Sequence, residues 1–227
     1  MKYPKDIYMS PRKAIQRVSQ ILNRCECPSK KIYFGGYKEE REALVAATVL
    51  LAIEEQMGER FWLQCAEHIQ MDIDIEIVGR SNRPNADFES RGRWQITEFE
   101  SHKENFIDVV LNKLKPGYVP GQLDLIVNVR DKSGWTFIPD ELAKELRSFD
   151  SKYRSIWLVC DDVGDPWFYN VVQLTPDVYV KRFNINDALE GAVSPDFIRR
   201  LPSFGKYETA ETEYLLKLPQ CPKCGAE

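Results

Sequence analysis

Acidic side chains gather along one stretch, Asn85 to Phe106, which reads NADFESRGRWQITEFESHKENF. Asp87 stands in one extended segment. Glu98 and Glu100 close the next, with Gln95 and Thr97 upstream and His102 and Lys103 just beyond. Carboxylate oxygens are the hard ligands that Mg²⁺ and Mn²⁺ take. Arg80, Arg83, Arg91 and Arg93 lie on either side of Asp87. Guanidinium groups beside carboxylates suit a phosphodiester ligand; a solvated hairpin with charged tips would carry the same residues.

A second chemistry sits in the cysteines. Cys221-Pro222-Lys223-Cys224-Gly225 holds two thiols two residues apart, with a glycine that lets the turn close, as in a zinc knuckle. One knuckle supplies two ligands. Cys25 and Cys27 form the other close pair, and the four together would make a structural Zn²⁺ site tying the tail to the N-terminal loop. Free thiols, or a zinc shared across a homodimer, are the alternatives. A redox CxxC would need a thioredoxin-like unit around it, and none is legible. Cys65 and Cys160 sit in apolar segments and read as core.

Other groups carry less. His68 and His102 are the two histidines, and no nucleophile motif accompanies either. His102, just past the acidic strand, could join a metal site or act as a base. YFGGYKEE has two glycines before a helix but lacks a phosphate-loop pattern. Asp161 and Asp162 end a strand in an acidic turn. Trp157, Trp167, Phe168 and Tyr169 read as packing.

The bulk numbers bound what these groups can do. With 227 residues, 43% apolar and 29% charged, the chain suits one large domain with a sizeable core, or one domain with small appendages. A formal charge of −4 gives no global attraction to nucleic acid, so any phosphate-binding surface must be a local patch. No apolar run has the length of a membrane span, and MKYPKDIYMS lacks the apolar core of a signal peptide. The expectation is a cytoplasmic protein whose six cysteines are thiols or metal ligands.

The elements that must position these residues follow from periodicity. SPRKAIQRVSQIL predicts a helix with Ser10 as N-cap and Pro11 in its first turn, ending near Asn23. KIYFGG reads as a short strand. YKEEREALVAATVLLAIEEQMG predicts a long helix, acidic in its first turn, apolar nearly all round in its middle and stopped by Gly58. FWLQCAEHIQM is ambiguous between helix and strand. DIDIEIVG alternates, with Ile73, Ile75 and Ile77 on one side and Asp74 and Glu76 on the other. ADFES and RWQITEF follow, with RGR as a tight hairpin turn between them, so the three segments form a meander. ENFIDVVLNKLKP and IPDELAKELRSF predict helices; LDLIVNVR, SIWLVC, WFYNVVQLTP and DVYVKRFNIND predict strands. The last forty residues read as irregular, with a short helix near SPDFIRRL. The class is α/β with a mixed central sheet flanked by helices, divided as an N-terminal helix and loop (1–37), a core (38–180) and a C-terminal extension (181–227).

The order helix, three-strand meander, helix, strand resembles the restriction-endonuclease-like PD-(D/E)XK nuclease superfamily over roughly residues 38–160. That resemblance implies a metal-binding Asp on the second strand of the meander. It implies a Glu or Gln on the third strand, with a Lys two residues later, and a further Glu from the first helix, where Glu40 and Glu42 stand. Asp87 matches the aspartate. Gln95-Ile96-Thr97 or Glu98-Phe99-Glu100 occupies the third-strand slot, each pair sharing one strand face. Thr97 or Glu100 stands where the lysine belongs, and Lys103 is the nearest substitute. The implied catalytic set is Asp87, Gln95, Glu98, Glu100 and Lys103, with Asp87 and Glu98 holding Mg²⁺ or Mn²⁺ and Arg80, Arg83, Arg91 and Arg93 meeting the nucleic acid. The expected function is metal-dependent cleavage of DNA or RNA. The alternatives are an inactive protein of that fold acting as a nucleic-acid-binding or regulatory module, and an interaction protein with no nucleic-acid role.

Overall fold

The computed structural model describes residues 6–23, 37–65, 73–83, 85–113, 121–130, 135–149, 152–162, 165–186, 195–202 and 206–210. In chain order its elements are β1 (Ile7–Met9), α1 (Pro11–Asn23), α2 (Lys38–Met57), β2 (Glu59–Cys65), β3 (Ile75–Ser81), β4 (Phe88–Phe99), α3 (Phe106–Lys113), β5 (Asp124–Val129), α4 (Pro139–Ser148), β6 (Ser155–Asp162), β7 (Asp165–Thr175), β8 (Tyr179–Asn184), β9 (Phe197–Arg200) and β10 (Tyr207–Thr209). This is an α/β fold with mixed strand pairing and helices packed on the strands. No described helix is long and apolar enough to cross a membrane. The chain divides into two compact units: residues 1–71, 75–91 and 191–227, and residues 72–74 and 92–190.

In the first unit the strand order is β10-β9-β1-β2-β3, with antiparallel pairing throughout. Ser10 Oγ accepts the N–H of Lys13 at 3.2 Å, so the predicted N-cap of α1 forms. Helix α2 ends at Gly58, whose φ of 66° is the left-handed conformation that glycine adopts without a Cβ clash. The middle of α2 is apolar around its circumference because α1 covers one side and β2 and β3 the other. Glu54 ties the three together: its carboxylate accepts from Arg12 at 2.9 Å, Arg60 at 3.1 Å and the N–H of Phe61 at 3.0 Å. Cys65 is buried and its thiol meets the Glu39 carbonyl at 3.5 Å, so α2 lies on the sheet face of Phe61, Leu63 and Cys65. The opposite face has its own small core of Tyr8, Trp62, Val78 and Ile198, with Phe88 and Tyr207 packed against it.

In the second unit the order is β4-β5-β6-β7-β8. Strands β4, β5 and β6 run parallel, with Trp94 beside Asp124 and Asp124 beside Ser155 at one end, and Phe99 beside Val129 and Val129 beside Cys160 at the other. Strands β7 and β8 return antiparallel. Helix α3 starts where Asn105 Oδ1 accepts the N–H of Ile107 at 2.8 Å, and it buries Phe106, Ile107, Val109 and Val110. Helix α4 buries Leu142, Ala143 and Leu146 and packs on β7.

Three expectations change. RGR is not a hairpin turn: Phe88 to Phe99 is one strand, and Asn85, ahead of it, has a φ of 59°. The three strands following α2 are therefore β2, β3 and β4, with FWLQC resolved as strand. The C-terminal stretch is not helical near SPDFIRRL. Phe197–Arg200 pairs with β1 and β10, and this pairing, with β1 about 190 residues away in sequence, decides the matter over local preference. Strand β5, which alternates in sequence, is buried at all six positions, Asp124 and Asn128 included. The strand expected at KIYFGG lies outside the described residues.

Candidate functional site

The residues expected to form one site fall on different parts of the fold. Asp87 is exposed and immediately precedes β4. Arg80 turns back over its own loop: Nε donates to the Ala86 carbonyl at 2.8 Å, and the guanidinium lies over the Phe88 ring at 5.1 Å. Arg83 and Arg93 are exposed. Arg91 pairs with Glu59 at 3.1 Å and Glu89 at 3.3 Å. Arg80 and Arg91 are thus engaged by neighbours in the first unit.

The two candidate registers on the third strand also separate. Glu98 and Gln95 differ by an odd number of residues and so occupy opposite faces of β4. Glu98 receives the guanidinium of Arg130 at 2.6 Å. Glu100, past the end of β4, is held by Lys103 at 2.9 Å, with His102 at 3.6 Å. The hydrogen bond and charge of Lys103 lower the Glu100 pKa below the ordinary glutamate value. Lys103 does reach back to the acidic segment as the sequence allows, but onto Glu100 and as an i,i+3 pair.

Asp87 and Glu98 were expected on adjoining strands. They now bracket a single one, with Asp87 just before its first residue and Glu98 next to its last.

Gln95 is drawn into a different cluster. The Asp74 carboxylate accepts the N–H of Ile96 at 2.6 Å, while the Asp74 N–H donates to the Trp94 carbonyl at 3.1 Å. Asp74, at the entrance to the second strand of the meander, is therefore pinned beside Gln95-Ile96-Thr97 on the third. Gln95 is 2% exposed, and its Oε1 accepts the hydroxyl of Tyr153 at 2.8 Å. Burial raises the Tyr153 pKa above the ordinary tyrosine value, and the charge of Asp74 adds to the shift. Asp74 and Tyr153 were not singled out from the sequence. The available signal was the loop chemistry of SNRPNAD, which marks the true turn and so makes DIDIEIVG the middle strand.

These donors do not make the two-carboxylate centre that a catalytic Mg²⁺ would use. The cluster contains one carboxylate, one of its oxygens takes a backbone N–H, and the Gln95 carbonyl already has a donor. Among the described residues, no group of three or more His, Cys, Asp and Glu side chains is placed to hold a metal ion. Cys25, Cys27, Cys221 and Cys224 lie outside the described residues, as does His68.

At the same end of the parallel strands, Asp124 is 2% exposed and accepts Trp94 Nε1 at 2.9 Å, Arg154 Nε at 2.9 Å, Arg154 Nη2 and Ser155 Oγ at 2.7 Å. Ser155 Oγ in turn accepts Trp157 Nε1 at 2.8 Å. A carboxylate with this many donors is a structural staple across β4, β5 and β6.

No protein-family model, no curated protein and no solved structure matches this chain.

Proposed function

We propose that the chain is a non-catalytic protein with a restriction-endonuclease-like core that binds nucleic acid. The succession α2, β2, β3, β4, α3, β5, with β5 parallel to β4, supports the resemblance in its element order. The observation that carries the reading is the hydrogen bond from Ile96 to Asp74. It sets an aspartate at the start of the meander's second strand against a Gln-x-Thr on the third, where such a nuclease would have Asp and Glu-x-Lys. Two departures argue for binding without turnover. Thr97 replaces the lysine whose charge would stand near the attacking water, and Tyr153 occupies the Gln95 carbonyl that would face a metal.

The test is incubation of the purified chain with labelled single-stranded and duplex oligonucleotides, in Mg²⁺ or Mn²⁺ and again in EDTA. Retarded complexes that weaken with salt, persist in EDTA and yield no cut strands are the expected result. Metal-dependent cleavage lost in Asp74→Ala would replace this reading with an active nuclease built on Asp74. Cleavage lost in Asp87→Ala and retained in Asp74→Ala would return the centre to Asp87. Absence of binding to every oligonucleotide at low salt would remove the nucleic-acid role.

A further inference from the structure

The first unit's sheet has a second face, away from α2, and its residues have a distinct character. Strand register places Trp62 beside Val78, Tyr8 beside Ile198, and Tyr207 beside Arg200. Side chains two apart on a strand share a face, so Arg80 joins Val78, and Arg200 joins Ile198. Tyr8, Trp62, Val78 and Ile198 are fully buried beneath. Phe88 and Tyr207 lie above them, half-buried, with ring centroids 6.4 Å apart. Phe88 stands edge-on to Trp62 at 5.1 Å, and Tyr207 edge-on to Tyr8 at 5.7 Å. Each half-buried ring has a guanidinium over it, Arg80 at 5.1 Å from Phe88 and Arg200 at 5.8 Å from Tyr207.

The rings and cations are held rigidly. Arg200 spans the Tyr8 ring at 5.2 Å and pairs with the buried Glu76 at 3.0 Å, and Glu76 also accepts the Tyr8 hydroxyl at 3.0 Å. Arg80 is fixed by its bond to the Ala86 carbonyl. The exposed Arg83 stands three residues from Arg80, and the exposed Asp87, Glu89 and Glu208 also adjoin Phe88 and Tyr207 in sequence. Aromatic rings and guanidinium planes are what unstacked bases pack against, and flanking cations are what the connecting phosphates meet. A duplex keeps its bases stacked inside and offers none to such a surface. The stacked guanidinium planes favour a flat base over an apolar peptide as the occupant.

We infer that this face is a platform for single-stranded nucleic acid, with bases stacking on the guanidinium planes of Arg80 and Arg200 that cap Phe88 and Tyr207, and phosphates meeting Arg83. The inference rests on the nucleic-acid reading above and adds a location and a strandedness to it. The platform uses none of Asp74, Gln95 or Tyr153.

The experiment measures fluorescence anisotropy of labelled oligothymidylate, and of a labelled duplex of equal length, with the full chain and two variants. Phe88→Leu keeps apolar volume and removes the ring. Arg83→Gln changes an exposed turn residue. Unaltered far-ultraviolet circular dichroism shows that each variant keeps its fold. The expected result is preference for oligothymidylate over duplex, weakened about tenfold by Phe88→Leu. Arg83→Gln should weaken binding and reduce the salt slope by about one. Equal or tighter binding of duplex, or a folded Phe88→Leu with unchanged affinity, overturns the platform and leaves nucleic-acid binding standing. If Phe88→Leu does not fold, an Arg83→Gln protein with unchanged affinity and salt slope is decisive against it. Absence of binding to both probes at low salt overturns the platform and the reading beneath it together.

Discussion

Arg154 passes directly over Gly92. A β-carbon on Gly92 would lie 2.6 Å from Arg154 Nη2 and 3.3 Å from the Asp124 carboxylate that this arginine grips. Glycine inside a strand commonly marks a close approach of this kind. It explains why Arg91-Gly92-Arg93 lies within a strand although its composition suggests a turn.

Gly92→Ala should therefore cost stability without changing the fold. The guanidinium end of Arg154 is flexible and can swing out, which loses part of a charge-assisted hydrogen-bond pair. The expected loss is about 1–2 kcal/mol by urea denaturation, at an unchanged m-value.

Asp124→Asn should cost more, about 3 kcal/mol. The amide nitrogen would confront donors from Trp94, Arg154 and Ser155, leaving buried groups without acceptors. Arg154 is about half-exposed and can find water, which holds the figure below that of a fully buried pair. Combined with Gly92→Ala, the losses should fall short of their sum, since both act on the same arginine. A double-mutant cycle measures this.

Tyr153→Phe isolates the Gln95 contact. The ring still fills its place, but Gln95 Oε1 loses the Tyr153 hydroxyl in a buried position. The expected destabilisation is about 1–2 kcal/mol, read by chemical denaturation. An unchanged midpoint would mean that Gln95 has another donor in solution.

Alkaline pH should destabilise the protein through two tyrosines. Burial raises the hydroxyl pKa of Tyr8, with the Glu76 charge adding and Arg200 opposing, and burial likewise raises that of Tyr153. The unfolded chain then loses these protons near pH ~10 while the folded chain keeps them. Their contribution is fully present below that pH and falls above it, by about 1.4 kcal/mol per pH unit for each group, until the folded hydroxyls ionise. Denaturation midpoints measured upward from pH ~9 should decline less steeply in Tyr8→Phe and in Tyr153→Phe, relative to each variant's own value at neutral pH.

Much of the element order was legible because its signals are local. Ser10 and Pro11 announce α1 and Gly58 closes α2, since caps act within one helical turn. The helix at Phe106 and the strand at Asp124 follow from periodicity. The strand boundaries around Asp87 were misread because Gly92 resembles a turn residue unless Arg154 is known to lie against it. Glu76 was expected on a polar face. It is buried, because Tyr8 and Arg200 supply its partners from 68 and 124 residues away.

The sequence by itself determined the α/β class, the positions of the four described helices and the absence of a lysine two residues beyond Gln95 or Glu98. Each depends on residue identity or on neighbours within a few positions. Tertiary structure alone decided that Asp74 meets the Gln95 segment, that Tyr153 takes the Gln95 carbonyl from 58 residues away, and that an arginine-capped aromatic face forms around Phe88 and Tyr207. Strand register sets these relationships. A register is fixed by the packing of whole strands against one another, and a shift of one residue would turn every side chain to the other face.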